Sequence, residues 1–142
     1  MTKVAFYKLS SNQQSAFELV CQLVKKACKT GQQVLCLLPD NRAAEQLDQM
    51  LWSFEAAAFV PHGLGAEQYP GAISADSTPG DHHQILINLQ QQIPSWFSRF
   101  DRVIEVIYQQ PEYQQAKREN FRFYKERGYS LSFHDLSGQF PK

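Results

Sequence analysis

Three cations and one aromatic residue follow a regular spacing near the carboxyl end of this 142-residue chain. Arg118, Phe121, Arg122 and Lys125 fall at i, i+3, i+4 and i+7, which brings them onto one face of an α-helix. Arginine guanidinium groups bind carboxylates with paired hydrogen bonds, and an aromatic ring offers area to an apolar side chain. This basic stripe therefore predicts a docking site for an acidic ligand with a hydrophobic end. A solvated basic face with one stray aromatic residue fits the same spacing, since single exposed apolar residues are common.

The helix that must carry the basic stripe is marked at both ends. Pro111 suits a first helical position, and Glu112 puts negative charge at the positive end of the helix dipole. Gly128 suits the residue just beyond the helix, where a left-handed conformation ends it. At about 100° per residue a second face is expected to pack on the core; it comprises Tyr113, Ala116, Asn120, Phe123 and Tyr124.

Nucleotide chemistry finds little support in the sequence. Residues 8–13, the first predicted strand-to-helix turn, read Lys-Leu-Ser-Ser-Asn-Gln and contain no glycine. Neither a Walker-type loop nor the dinucleotide fingerprint is therefore present there. Residues 62–65, His-Gly-Leu-Gly, match half of such a fingerprint, but Gln68 occupies the third glycine position. We expect no ATP or GTP hydrolysis.

Other titratable residues give weak signals for chemistry. Asp81, His82 and His83 could ligate a metal, but adjacent histidines in a Gly/Pro loop are more often surface residues. No Cys/His/carboxylate set with metal spacing accompanies them, so we expect no metal site. Glu105 lies in an apolar strand and could be a carboxylate with a tuned pKa; the simpler interpretation is that it sits at a strand end or pairs with a cation. No catalytic residue and no cofactor are predicted.

The bulk composition is that of an ordinary globular protein, with 43% hydrophobic and 20% charged residues. The net charge of zero provides no general basic field for nucleic acid. No apolar run approaches the ~20 residues of a membrane span, and the amino terminus lacks a signal-peptide pattern. The odd number of cysteines (Cys21, Cys28 and Cys36) argues against a disulfide framework. We expect one cytoplasmic domain over residues 1–142.

Apolar strands alternate with amphipathic helices along the chain, which predicts an α/β fold with a mostly parallel sheet and helices on both faces. The segment from Pro61 to Gln84 is rich in glycine and proline and is expected to be an irregular loop. Helices are expected at 13–29, from residue 41 onward and at 111–127, with a helical turn near 94–97. Strands are expected at 4–7, 34–38, 57–60, 85–87 and 103–107, and at 129–133 on an edge of the sheet.

Several blocks of the sequence resemble a known family. Residues 47–52 (Leu-Asp-Gln-Met-Leu-Trp) and 59–62 (Phe-Val-Pro-His) together form a fairly specific signature. Residues 5–7, 85–89 and 118–131 fit the same pattern, so the similarity covers nearly the whole chain. The chain resembles the chi subunit of bacterial DNA polymerase III holoenzyme.

The resemblance implies a non-catalytic adaptor in the clamp-loader complex of the replicative polymerase. It implies a nucleotide-binding-like α/β fold without a phosphate loop and without nucleotide activity. The expected partners are the small psi subunit and the acidic C-terminal tail of single-stranded DNA-binding protein, which ends in a proline and a phenylalanine carboxylate. DNA would be reached only indirectly.

The family's tail site falls on the basic stripe defined above. The tyrosine of the family corresponds to Phe121, which keeps the ring and lacks the hydroxyl. A family lysine one turn before the stripe corresponds to Gln114, and Lys117 or Lys125 is expected to compensate for that lost charge.

Trp52 and Phe59 match positions that the family uses for psi or for an alternative helicase partner. Ordinary core packing is the competing interpretation of both residues. Two other functions compete with the adaptor as a whole. One is a divergent nucleotide-binding enzyme of similar fold, which the missing glycines disfavour. The other is direct binding of single-stranded DNA, which the zero net charge and the single ring on the basic face disfavour.

Overall fold

The computed structural model describes residues 2–53, 62–64, 71–75 and 82–136. Within them the helices are α1 (Gln13–Lys29), α2 (Asn41–Ser53) and α3 (Pro111–Glu126), and a short 3-10 turn spans Phe97–Arg99. The strands are β1 (Lys3–Lys8), β2 (Val34–Leu37), β3 (His62–Leu64), β4 (Gly71–Ser74), β5 (Ile85–Asn88), β6 (Arg102–Ile107) and β7 (Ser130–Asp135).

The seven strands form one sheet in the spatial order β3-β4-β2-β5-β6-β1-β7. Every pair of neighbouring strands is parallel. Helices α1 and α2 pack on one face, while the 3-10 turn and most of α3 pack on the other. The predicted α/β fold is confirmed, and β7 lies at an edge of the sheet as expected.

Local capping residues explain the ends of α1. The Asn12 side chain accepts a hydrogen bond from the backbone N–H of Ser15 at 3.2 Å, which satisfies one free donor of the first turn. Gly31 adopts φ 78° just beyond the helix, a left-handed conformation that glycine takes without steric cost. The backbone N–H of Gln32 then bonds the carbonyl of Ala27 at 3.0 Å and closes the helix.

Similar capping residues mark the two ends of α3. The Gln110 side chain accepts from the backbone N–H of Tyr113 at 2.6 Å, and Pro111 follows as the first helical residue. Gly128, with φ 80°, ends the helix as predicted. Of the expected core face, Ala116 and Phe123 are half-buried; the fully buried positions of α3 are Tyr113, Lys117, Asn120 and Tyr124.

The segment predicted as an irregular loop contains two strands, β3 and β4, so that prediction is wrong for residues 62–64 and 71–74. These strands extend the sheet beyond β2, and β4 pairs with β2 along its whole length. The half-fingerprint therefore begins inside β3 and not in a strand-to-helix turn. The strand expected at 57–60 lies outside the described residues. No helix in the described part of the chain is long and apolar enough to cross a membrane.

Candidate functional site

A groove of about 510 Å³ opens between α3 and the β1–β7 side of the sheet. It brings together all four residues of the basic stripe, which lie along its helical wall. The rest of the lining comes from α3 and from strands β1, β6 and β7, and comprises Phe6, Lys8, Ile107, Gln114, Lys117 and Phe133. The groove thus combines an aromatic and aliphatic floor with a cationic wall.

Phe121 is part of the packed structure and is not a stray surface aromatic. Its ring is half-buried and meets the fully buried ring of Phe6 edge to face, with centroids 5.2 Å apart and planes at 67°. Edge-to-face geometry is favoured for aromatic pairs. The core therefore fixes the orientation of Phe121, while the remainder of the ring faces the groove.

The cations of the basic stripe project into solvent beside this ring. Arg118, Arg122 and Lys125 are all exposed. In the part of the chain that the structure describes, none of them lies within ion-pairing distance of a carboxylate. Their charge is therefore available to an external anion. The arrangement suits an acidic ligand whose apolar end covers the aromatic floor.

Lys117 does not compensate for Gln114, so that half of the expectation is wrong and Lys125 remains as the compensating cation. The Lys117 side chain is fully buried, and its ammonium lies 2.5 Å from the Glu105 carboxylate. It also donates to the backbone carbonyls of Asn88 at 3.1 Å and Gln90 at 2.7 Å, which uses all three of its protons. Lys117 belongs to the interior beneath the groove, and its charge is neutralised there.

Glu105 is equally well satisfied, which confirms that it pairs with a cation. Its second oxygen accepts from the Tyr124 hydroxyl at 2.7 Å and from the Asn88 side-chain amide at 3.1 Å. Burial lowers the pKa of Lys117, and the Glu105 charge opposes that shift. Burial also raises the pKa of Tyr124. A buried, fully bonded carboxylate of this kind serves structure and is poorly placed for catalysis.

This buried network fastens α3 to the sheet. Lys117 and Tyr124 come from the helix, Glu105 from β6 and Asn88 from β5. The Asn120 side chain adds a bond to the carbonyl of Gln91 at 2.9 Å, just after β5. The rotation of α3 about its axis is thereby fixed, and the basic stripe is held facing outward. Sequence reasoning missed that Lys117 is buried, although this residue lies four positions after Tyr113 on the most buried line of the helix.

A second crevice tests the nucleotide-binding alternative. It lies at the carboxyl ends of the central strands, where related open sheets bind nucleotides, and has a volume of about 350 Å³. Its lining residues are uncharged, and comprise Gln13, Pro39, Leu89, Gln91, Tyr108, Gln109, Gln110 and Tyr113. At the neighbouring turn, the Asn12 side chain already occupies a donor at the start of α1. A phosphate would find no cation in this lining.

The described residues contain no group of three metal-ligating side chains. His83 is exposed, but His82 is only 2% exposed, so the expectation of two surface histidines is wrong for His82. Asp81 lies outside the described residues. Burial raises the pKa of Cys21 to about 12 and also raises the pKa values of Cys28 and Cys36, which keeps these thiols protonated.

Of the two residues predicted to contact psi, only the backbone of Trp52 is described, and it lies apart from the groove. The backbone of Trp52 lies in the last turn of α2, on the opposite face of the sheet from most of α3. The Trp52 side chain and the whole of Phe59 lie outside the described part, so their assignment stays a prediction.

The chain is similar in sequence to a known protein family along most of its length. Residues 1–132 match the family model described as DNA polymerase III chi subunit, HolC. The chain is similar to DNA polymerase III subunit chi of Pseudomonas aeruginosa, with 40% identity over 139 residues that cover 96% of this chain and 98% of that protein. The subunit of the same name from Haemophilus influenzae is 31% identical, over 93% of this chain and 96% of its own. That of Escherichia coli is 28% identical, over 93% and 97% respectively.

The match runs through strands β1 to β6, α3 and the first three residues of β7, and therefore includes every residue that lines the groove except Phe133. The relatives are matched over nearly their full lengths, so the similarity is not confined to one motif. The chain belongs to the DNA polymerase III chi subunit family and is a component of the DNA replication machinery.

Proposed function

We propose that this chain is a non-catalytic adaptor of the clamp-loader complex that holds the acidic C-terminal tail of single-stranded DNA-binding protein. The observation that supports this most strongly is the groove beside α3. There, exposed cations without carboxylate partners among the described residues flank a half-buried phenylalanine over an apolar floor. An acidic peptide that ends in a hydrophobic residue complements both features. No enzymatic step is proposed, because the groove contains no activated nucleophile or general base.

The expected binding free energy is the balance between favourable contacts with the tail and the entropic cost of ordering it. Each charge-assisted hydrogen bond to the tail contributes about 1.5–3 kcal/mol. Burial of a phenylalanine side chain contributes a further ~1.5–3 kcal/mol. Ordering a flexible tail and losing its translational freedom cost several kcal/mol, so the net free energy should be about −8 kcal/mol, near micromolar. Binding should weaken as salt is added, since the groove is open and the partners are charged.

The cations of the basic stripe have different roles in this proposal. Arg118 forms a forked contact with the terminal carboxylate, and Arg122 contacts the tail beside the phenylalanine ring. Lys125, in the last turn of α3, adds longer-range attraction to the acidic residues. A forked guanidinium contact is stronger than an exposed ammonium at the rim.

A titration of tail peptide with single variants tests these roles. Arg118→Ala should weaken binding more than about tenfold, because it removes the forked hydrogen bonds. Lys125→Ala should weaken binding by less than about fivefold, as expected for a screened surface charge. Lys29→Ala is the matched control, because it removes an exposed charge at the carboxyl end of α1, which does not line the groove. It should alter peptide affinity only through the change in net charge. Equal losses for Arg118→Ala and Lys29→Ala would contradict the proposal.

A second surface is proposed for the psi subunit, with Trp52 and Phe59 as its aromatic anchors. A helicase that docks on the same residues would compete with psi. The support for this surface is the family resemblance together with the position of Trp52 in the last turn of α2. Large aromatic side chains dominate the energetics of interfaces when they enter a pocket. Because the backbone of Trp52 lies in α2 and the groove is formed by α3 with strands β1, β6 and β7, one chain could bind both partners at once.

A further inference from the structure

One row of side chains crosses the sheet beneath α3. The register of the strands places four residues side by side, Asn88 on β5, Glu105 on β6, Phe6 on β1 and Phe133 on β7. Register partners in a sheet project from the same face, which is here the face that α3 covers. The half of this row nearer the centre of the sheet is polar, and the half nearer the β7 edge is aromatic. Helix α3 therefore rests on polar groups on one side and on aromatic rings on the other.

The polar half of the row holds α3 at two heights along its axis. Lys117 and Tyr124 are separated by about two helical turns. Both bind the Glu105 carboxylate, through different oxygens, at 2.5 Å and 2.7 Å. The Asn88 amide donates to the second oxygen at 3.1 Å. A helix that slid or turned would break these bonds, so Glu105 defines the axial position of α3 as well as its rotation.

Lys117 also ties α3 to backbone groups of the sheet. It donates to the carbonyl of Asn88, the last residue of β5, and to the carbonyl of Gln90 just beyond it. Asn120, almost one turn later on α3, donates to the carbonyl of the next residue, Gln91. Backbone acceptors at the end of a buried strand are rigid compared with surface side chains. The position of α3 is thus referred to the central strands.

The aromatic half of the row receives the binding side of α3. The Phe6 ring meets Phe121 and Tyr124 edge to face, with centroids 5.2 Å and 6.0 Å apart. Tyr124 therefore contacts both halves of the row, through its hydroxyl on Glu105 and its ring on Phe6. Phe121 in turn lies 6.2 Å from the ring of Phe133. A shift of α3 that broke the Glu105 bonds would displace Phe121 and the guanidinium groups beside it.

We propose that Glu105 and Lys117 are positioning residues of the groove, and that their buried contact sets its affinity for an acidic peptide separately from the stability of the fold. This inference rests on the proposed function and adds to it two residues that have no exposed side-chain surface. A fully bonded buried network favours one arrangement of its elements. Groups held in their binding arrangement beforehand cost less to order when the ligand arrives. Apolar replacements can restore stability without restoring that arrangement.

The test combines Glu105→Gln with Lys117→Met and titrates this double variant with the tail peptide of the host's single-stranded DNA-binding protein. The double variant should recover most of the stability that either single change removes, because no unpaired charge remains in the interior. Its affinity for the peptide should nevertheless be about fivefold lower than that of wild type, since α3 has lost its charged bonds to the sheet.

Val24→Ala is the matched control for stability. It shortens a fully buried side chain of α1 on the opposite face of the sheet, so it should destabilise the fold through a cavity. Its contacts do not reach the groove, and peptide affinity should change by less than about twofold. A fall in affinity in the double variant but not in Val24→Ala would assign the effect to the position of α3.

The free protein gives a second measurement. The Phe6 ring shifts the NMR signals of the Phe121 ring protons, because the two rings meet edge to face. These signals should move in the double variant and keep their wild-type positions in Val24→Ala. Wild-type affinity in the double variant would overturn the positioning role and leave the proposed function intact. Failure of the wild-type protein to bind the peptide would overturn the proposed function and, with it, this inference.

Discussion

The buried ion pair beneath α3 should make a large and measurable contribution to stability. Glu105 and Lys117 are both fully buried, with 2.5 Å between the ammonium nitrogen and the carboxylate oxygen. In a Glu105→Gln variant the ammonium keeps its bonds to backbone carbonyls but loses its negative partner. Removing one partner of a buried pair typically costs about 3–5 kcal/mol, because an uncompensated charge remains. For a chain of this length the melting temperature should fall by roughly 10–15 °C.

The Lys117→Met variant and the double variant distinguish the interaction between Glu105 and Lys117 from the other contacts of each residue. Lys117→Met leaves the Glu105 carboxylate buried without its cation and should destabilise the fold to a similar degree. The double variant removes both charges, and we expect it to recover most of the lost stability, since apolar replacement of a buried pair is often close to neutral. Denaturant unfolding of all four proteins gives the coupling free energy directly.

The pH dependence of the Glu105→Gln deficit provides a second check. Burial lowers the pKa of Lys117 below its ordinary value of 10.5. The ordinary value applies to Lys117 in the unfolded chain, and the lowered value applies in the native chain. At a pH between these two pKa values the unfolded chain binds more protons than the native chain, so the free energy of unfolding rises with pH. The cost of the buried ammonium is thus fully present below its native pKa and disappears towards pH 10.5. Loss of the Glu105 charge lowers the native pKa further, so the deficit relative to wild type should shrink between pH 7 and pH 10.

A deficit below about 1 kcal/mol at pH 7 would refute this reasoning, because that is the value of a solvent-exposed pair. A deficit that did not change between neutral and alkaline pH would contradict the assignment of the cost to the Lys117 ammonium.

Three further outcomes are expected. The buried thiols Cys21 and Cys36 should resist an alkylating reagent at pH 8 in the folded protein and react at once in denaturant, as followed by mass spectrometry. Trp52→Ala should weaken the complex with psi about tenfold or more without a comparable loss of thermal stability; an unfolded variant would show that Trp52 is a core residue. Purified protein should hydrolyse neither ATP nor GTP, and turnover abolished by changes at residues 10–13 would contradict the absence of a phosphate cradle.

The helices were predictable because their ends are encoded locally. Asn12 and Gly31 bound α1, and Pro111 and Gly128 bound α3, each within a few residues of the element that it ends. Strands β3 and β4 were missed for the opposite reason. They are only three and four residues long; β4 depends on pairing with β2, which is distant in sequence, and β3 depends on pairing with β4.

In the candidate site, too, features within one helix could be predicted from the sequence, whereas contacts between distant elements could not. Helical periodicity sufficed to group the basic stripe on one face of α3. It could not show that Lys117 is neutralised by Glu105, because that contact joins α3 to β6. Nor could it bring Lys8 and Phe133 into the groove, since their positions depend on the register of β1 with β7.

The central claim is that the groove beside α3 receives the hydrophobic end of an acidic tail, and one titration tests it most directly. The intact tail peptide of the host's single-stranded DNA-binding protein is compared with the same peptide lacking its final phenylalanine. The intact peptide should bind with near-micromolar affinity, about −8 kcal/mol, and the truncated peptide should lose nearly all affinity. Equal binding of the two peptides would show that the basic stripe is only a solvated charged face.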